Sequence, residues 1–460
     1  MKTRRFQLLF PALLALALLA AACDTGGATE TSVVISSEST TPVETTTTTT
    51  TQPEEEDSGP IVTAGPGVPD EVVEQLSVQI ADLVNVTEQV RGLPFLAQPV
   101  VAILSPEELE ARVRADIAEE IDSESLAVDS RLLKLMGLLE PGDDLETMLI
   151  DLYGEQVAGF YDGDTQEMVV GGEASELTPY TKSVVVHELV HALTDQHFLF
   201  NDDYEAMWDD ERYEEASAFQ ALIEGDATYF QFIYMQELPL AEQLALATEA
   251  LQLYEDSSTD SVPDWILNDL SFPYESGQVF VESLVSSGGI AAVDQAYTDR
   301  PISTEVIMHP SRYAAGEGVL PVPPLEIELD GYEIHETSSY GEWGFRVLLD
   351  GSAAPGVSAQ AANGWGGDAY QVLYDSDDVV FALSYKGDTE EDAFELADAL
   401  ITYAGETLAM GEGFGDGGGI TFQPEDGRYA HLDRIGDGFV FVLSTNAAAG
   451  AAAADQMRIP

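Results

Sequence analysis

The stretch His187-Glu188-Leu189-Val190-His191 constrains this chain more than any other part of it. It lies in a run whose apolar residues, Val184, Val185, Leu189, Val190 and Leu193, recur at helical spacing, and Thr178-Pro179 ahead of it reads as a helix start. An α-helix has 3.6 residues per turn, so positions four apart share a face and the two imidazoles stack. The apolar neighbours suit a helix packed in a core with one polar stripe. That stripe can offer two imidazoles to one cation, with Glu188 beside them.

Zinc is the expected metal, because two imidazoles and a third ligand leave one tetrahedral position for water. In H-E-x-x-H sites the glutamate, here Glu188, is the general base that takes the proton of that water. His197 is one candidate for the third ligand, since it falls at the last position of the pattern H-E-x-x-H-x-x-G-x-x-H. Thr194 stands where that pattern has the glycine that permits a sharp turn, and a β-branched residue is poorly suited to a left-handed conformation. If the helix continues instead, His197 points away. Glu224 is the other candidate, in a second long helix expected over about residues 210–236, with Glu211, Glu214 and Glu215 behind it.

Residues 187–195 resemble the active-site helix of thermolysin-type zincins, the gluzincins, whose third ligand is a glutamate on the next long helix. Val157-Ala158-Gly159-Phe160-Tyr161-Asp162, Asp195-Gln196-His197-Phe198, Glu224-Gly225-Asp226-Ala227-Thr228, and Ser303-Thr304-Glu305 with His309-Pro310 and Tyr313 resemble a group of largely uncharacterised secreted bacterial H-E-x-x-H proteins. The likeness spans roughly residues 155–315. It implies an α+β, zincin-like metallopeptidase core, with Glu224 as third ligand and a peptide or protein as substrate. Gly225 is then expected to let the two metal helices approach closely. His309 and Tyr313 are candidates for the further donor that a tetrahedral oxyanion needs. Zincins bind extended peptide along an edge strand beside the metal helix. One of two strands, residues 156–161 or 167–170, around the turn Asp162-Gly163-Asp164, is expected in that role. Asp195 and Asp226 are candidate partners for the ligand imidazoles.

The N-terminus sets the compartment. Lys2, Arg4 and Arg5 precede an apolar run over residues 6–22 that ends Leu19-Ala20-Ala21-Ala22-Cys23, which reads as a secretory signal peptide. It resembles a bacterial lipoprotein signal, with the only cysteine as the lipidated residue, although Ala20 stands where a leucine is preferred and an ordinary A-x-A cleavage also suits. Residues 24–68 are Thr, Ser, Glu, Pro and Gly in the main and read as a stalk. The expected location is therefore outside the cell, lipid-anchored at Cys23 or secreted, with no other membrane contact.

Seventeen Lys and Arg against 84 Asp and Glu give a net charge of −67, which excludes nucleic acid as a partner and suits a solvated surface in saline or extracellular conditions. No EF-hand-like calcium loop stands out. The catalytic domain is expected over residues 69–320. A smaller α+β domain follows over 321–460, strand-rich with one clear helix at 390–403, a glycine-rich loop at 411–419, a last strand at 439–443 and an Ala-rich tail. The function these features point to is a surface-tethered zinc endopeptidase. A non-peptidase zinc hydrolase and a non-catalytic binding module are the alternatives, and the presence of Glu188 argues against the module.

Overall fold

Ile61–Ala64 forms strand β1, inside the stretch read as stalk, and pairs in parallel with β2 (Val100–Leu104). Its four residues are too few to show a period, so only the pairing reveals it. The computed structural model describes residues 59–457 apart from 155–157, 173–174, 257–261, 352–355 and 416–418; the signal segment, Cys23 and residues 24–58 lie outside the described residues.

Helix α1 (Asp70–Arg91) ends at Gly92, whose φ of 75° supplies the left-handed cap. After β2, a Ser105–Glu108 capping box with Pro106 in the first turn starts α2 (Pro106–Glu120). Helices α3 (Ser123–Leu135) and α4 (Leu145–Gly154) lead to β3 (Gly159–Asp162) and β4 (Glu167–Gly171). The four strands lie in the order β1-β2-β4-β3, with β1, β2 and β4 parallel and β3 antiparallel at one edge.

A helical layer follows: α5 (Pro179–Phe198), α6 (Phe200–Asp209), α7 (Tyr213–Glu237), α8 (Leu240–Asp256), α9 (Asp264–Gly288), α10 (Ile290–Ala296), α11 (Thr304–Met308) and α12 (Pro310–Ala315). Gly225 of α7 does not face α5 as expected. It faces Gly277 of α9, and a Cβ on either glycine would overlap the other helix's backbone. The close approach that Gly225 permits is thus between α7 and α9, and it leaves the other side of α7 to meet α5.

The last part of the chain is a seven-stranded antiparallel sheet in the order β5-β6-β7-β11-β10-β9-β8. Its elements are β5 (Glu333–Ser338), α13 (Gly341–Asp350), α14 (Val357–Ala362), β6 (Trp365–Tyr374), β7 (Val379–Gly387), α15 (Glu390–Thr402), a π turn (Tyr403–Thr407), β8 (Phe414–Gly415), β9 (Gly419–Phe422), β10 (Tyr429–Ile435), β11 (Gly438–Ser444) and α16 (Ala447–Met457). The protein is therefore α+β. Both faces of the central strands are buried: Phe381 and Leu383 pack on one side with α15, and Val380 and Ala382 pack on the other with α16. The Ala-rich end is thus a helix rather than a tail. Alanine has the highest helix propensity, and its small side chain lets the helix lie close on the sheet.

A boundary near residue 320 does not separate two cores. Val128, Leu132 and Leu135 of α3, and Met136 just after it, pack with Trp365, Phe381 and Leu383 under the seven-stranded sheet. The halves are also joined at the start of α7, where Ser338 donates to the Glu211 carbonyl and the Thr337 N–H donates to the Glu211 carboxylate.

Candidate metal centre

Thr178 caps α5 by accepting the Thr181 N–H, with Pro179 in the first turn, as the sequence predicts. The helix then runs unbroken through His187, Glu188 and His191, all buried. Glu224, also buried, comes from α7 packed alongside. Three donor atoms meet: His187 Nε2 and His191 Nε2 are 3.0 Å apart, and Glu224 Oε2 is 3.2 Å from each. A tetrahedral zinc ion about 2.0–2.1 Å from nitrogen and oxygen ligands spaces them by roughly 3.3 Å. The triangle is close to that size, and its chemistry, two imidazoles and a carboxylate, is a zinc set. A second observation fits the same group: the buried Glu188 Oε1 has no hydrogen-bond partner, while Oε2 accepts the Tyr161 N–H at 2.8 Å.

Burial and mutual charge set the protonation of these groups. Burial pushes Glu188 up to about 8, and the Glu224 charge adds to this against the pull of His191 and the Tyr161 N–H. Burial also works against the Glu224 carboxylate, but His191 and His187 overcome it and bring it down to about 2. Burial disfavours charge on His191 too, yet Glu224, Glu188 and Asp226 lift it to about 8. His187 is lowered by burial.

Two residues around the triangle escape a reading of the sequence. Gln231, buried on α7, faces α5, where its amide nitrogen lies 3.4 Å from Ser183 Oγ. It sits seven positions after Glu224, two turns along the same face of α7, so the helical period alone could have found it. Tyr274, buried on α9, stacks on His187 with ring centroids 6.1 Å apart and planes at 25°. No local signal marks it, because the proline before it, Pro273, lies inside the helix where a break is expected.

The other candidates go elsewhere. Helix α5 continues past Thr194, whose hydroxyl donates to the Val190 carbonyl, so the turn that would return His197 to the metal is not made. His197 Nε2 instead lies 2.7 Å from the Pro94 carbonyl oxygen. His309 and Tyr313 are not at the triangle either. The Thr304 N–H and hydroxyl, just before them, donate to Glu214, which lies ten positions before Glu224 and so about 15 Å along α7. His309 Nε2 lies 3.1 Å from both carboxylate oxygens of Glu342 in the C-terminal half, and the Tyr313 hydroxyl donates to the Asp299 carbonyl. The oxyanion role expected of these two is therefore withdrawn, and Tyr274 is the aromatic hydroxyl-bearing residue beside the ligands. Glu211, Glu214 and Glu215 bond Thr337, Thr304 and Arg212. Asp195 accepts the Tyr161 hydroxyl and the Asn201 N–H, and Asp226 accepts from Arg91 and Tyr297. A second acidic group, Glu305, Glu317 and Asp388, already encloses a cation, since Arg312 Nη1 approaches all three.

Of the two expected strands, β4 is paired on both sides and β3 is the edge. The Gly171 N–H donates to the Ala158 carbonyl, so by antiparallel alternation the peptide groups of Gly159 and Tyr161 face away from β4. Tyr161 uses its outward N–H to hold Glu188, which ties the edge strand to the metal helix.

Glu214 gives the fold a pH dependence of its own. Burial pushes its carboxyl up to about 8 against the two hydrogen bonds from Thr304. An unfolded glutamate titrates near ~4.3, so between these values the folded chain keeps a proton that the unfolded chain has lost. This contribution to stability is full at low pH and is lost as pH rises through about 8. Glu214→Gln keeps an acceptor for Thr304. It is expected to flatten the fall of the urea midpoint across that window, where the wild-type slope from this group approaches ~1.4 kcal/mol per pH unit. Parallel pH profiles for the two proteins would rule this out.

Residues 331–454 match the model of a family described as a domain of unknown function (DUF8575). The match covers the seven-stranded sheet and leaves the triangle of His187, His191 and Glu224 outside it. No curated protein and no solved structure matches the chain.

Proposed function

We propose that this chain is a zinc-dependent peptidase built on a zincin-like core and acting outside the cell. The observation that carries the reading is the buried triangle of His187 Nε2, His191 Nε2 and Glu224 Oε2, with the unpaired Glu188 Oε1 on the next residue of α5. The edge strand β3 supports peptide over other substrates, because an extended chain can pair with the outward peptide groups of Gly159 and the outward Tyr161 carbonyl, the Tyr161 N–H being held by Glu188. A pure binding module would have no use for a buried carboxylate with an unfilled oxygen beside three ligands.

A bound zinc ion supplies Lewis acidity, which polarises a carbonyl and acidifies a water. The chain's own residues do the rest. His187, His191 and Glu224 would hold the ion. Glu188 takes a proton from the attacking water as its oxygen bonds to the carbonyl carbon. It then delivers that proton to the amine nitrogen as the C–N bond breaks. The Tyr161 N–H holds one Glu188 oxygen, so the other is the one aimed at the proton.

The test is cleavage of an unstructured protein such as casein by the purified chain. Activity is expected to vanish with a zinc chelator and to return on adding zinc; cleavage that ignores the chelator, or a zinc-loaded protein with no cleavage of casein or of a random peptide pool, would sink the reading. The location is tested separately. Cys23→Ala is expected to move the protein from the membrane fraction to the medium, and an unchanged distribution removes the lipid anchor.

A further inference from the structure

We propose that Arg91, Asp226 and Tyr297 are positioning residues for the metal centre, which hold α7 at the rotation on α5 where Glu224 meets both imidazoles; this rests on the zinc reading above. Arg91 is the last residue of α1 and is fully buried. The chain has 84 acids for its 17 cations, so surface partners for an arginine are plentiful, and burying one completely calls for a reason. Its Nε lies 3.0 and 3.2 Å from the two oxygens of Asp226, and its Nη2 is 2.7 Å from Asp294. The guanidinium also lies over the Phe230 ring of α7, 5.2 Å from its centre.

Asp226 is fully buried and comes two residues after Glu224. Two residues are about 200° apart around a helix axis, so fixing the direction of one carboxylate fixes the direction of the other. The Tyr297 hydroxyl donates to Asp226 Oδ2 at 2.9 Å. A buried polar group thus runs from Arg91 at the end of α1 through Asp226 of α7 to Tyr297, just after α10. None of its members belongs to the ligand triangle.

Packing alone does not account for this arrangement. Val190, Ala227 and Phe230 already form an apolar contact between α5 and α7. Apolar contacts tolerate small rotations of a helix, whereas a fully buried charge pair, with Arg91 Nε 3.0 and 3.2 Å from the two Asp226 oxygens, loses much of its energy if α7 turns and the pair separates. A few degrees of rotation of α7 would carry Glu224 Oε2 away from one imidazole and towards the other.

The experiment is zinc affinity of the full chain, measured by competition with a chromophoric chelator, beside the urea midpoint. Asp226→Asn and Arg91→Met are expected to weaken zinc binding about 10–100-fold, the range typical of partners one step out from the ligands. Tyr297→Phe, the variant safest for folding, is expected to weaken it several-fold. The double variant Arg91→Met/Asp226→Leu removes both charges and replaces them with apolar bulk. It is expected to regain the urea midpoint without regaining zinc affinity, and recovery of both would show a structural role and overturn the proposal. Folded variants that bind zinc as tightly as the wild type overturn it too. A wild-type chain that binds no zinc overturns the metal reading itself, and this proposal with it.

Discussion

Glu224→Ala is expected to lose its zinc, and His197→Ala to keep one ion per chain, when the purified proteins are compared by metal analysis. Glu224 Oε2 is 3.2 Å from each imidazole nitrogen and supplies the only negative charge in the triangle. Its removal leaves two neutral donors and an open wall. The fall in affinity should exceed the ~10–100-fold typical of losing a partner one step further out. His197 reaches only the Pro94 carbonyl at the exposed end of α5, so its removal should cost about 1 kcal/mol of stability or less. Zinc kept by Glu224→Ala and lost by His197→Ala would reverse the ligand assignment.

Glu188→Gln is expected to keep its zinc and to lose about 10²–10⁴-fold in turnover, the usual contribution of a positioned general base. The amide is nearly the same shape, and its oxygen can still accept the Tyr161 N–H, so the helix and strand stay joined. What it cannot do is accept a second proton and pass it on. The useful readout is the pair of measurements together. Full metal content with full activity would remove Glu188 from the chemistry; lost metal would mean that the residue supports the site rather than the reaction.

The meeting of His187 with His191 was legible because their spacing is a property of one helix, and that of Glu224 with them because the next long helix has the glutamate that the resemblance asks for. Gln231 obeys the same period on α7. Tyr274, His309 and Tyr313 were not legible, since each depends on how α9, α11 and α12 pack, which no local pattern states. His309 illustrates the point: its partner, Glu342, lies beyond the expected domain boundary. Helices α8 and α9 went unassigned, and Pro273 inside α9 argues against the helix that forms there. Strand β1 and helix α16 are marginal in composition, and both are decided by what they pack against. The packing of α3 across the expected boundary has the same cause, because α3 looks from its sequence like any amphipathic helix of the first half.

That helix bears on how the chain comes into being. Arg131 of α3 donates to the Asp375 carbonyl, 244 residues further on, and its apolar neighbours are the strands on either side of that point. A chain that emerges from its N-terminus must expose this face until the later strands arrive. Contacts of such long range also slow folding, because the connecting loop must close before they form. That face of α3 therefore stays uncovered until the later strands are made, and a copy cut short within the seven-stranded sheet would be left sticky there, open to proteases and to its own kind.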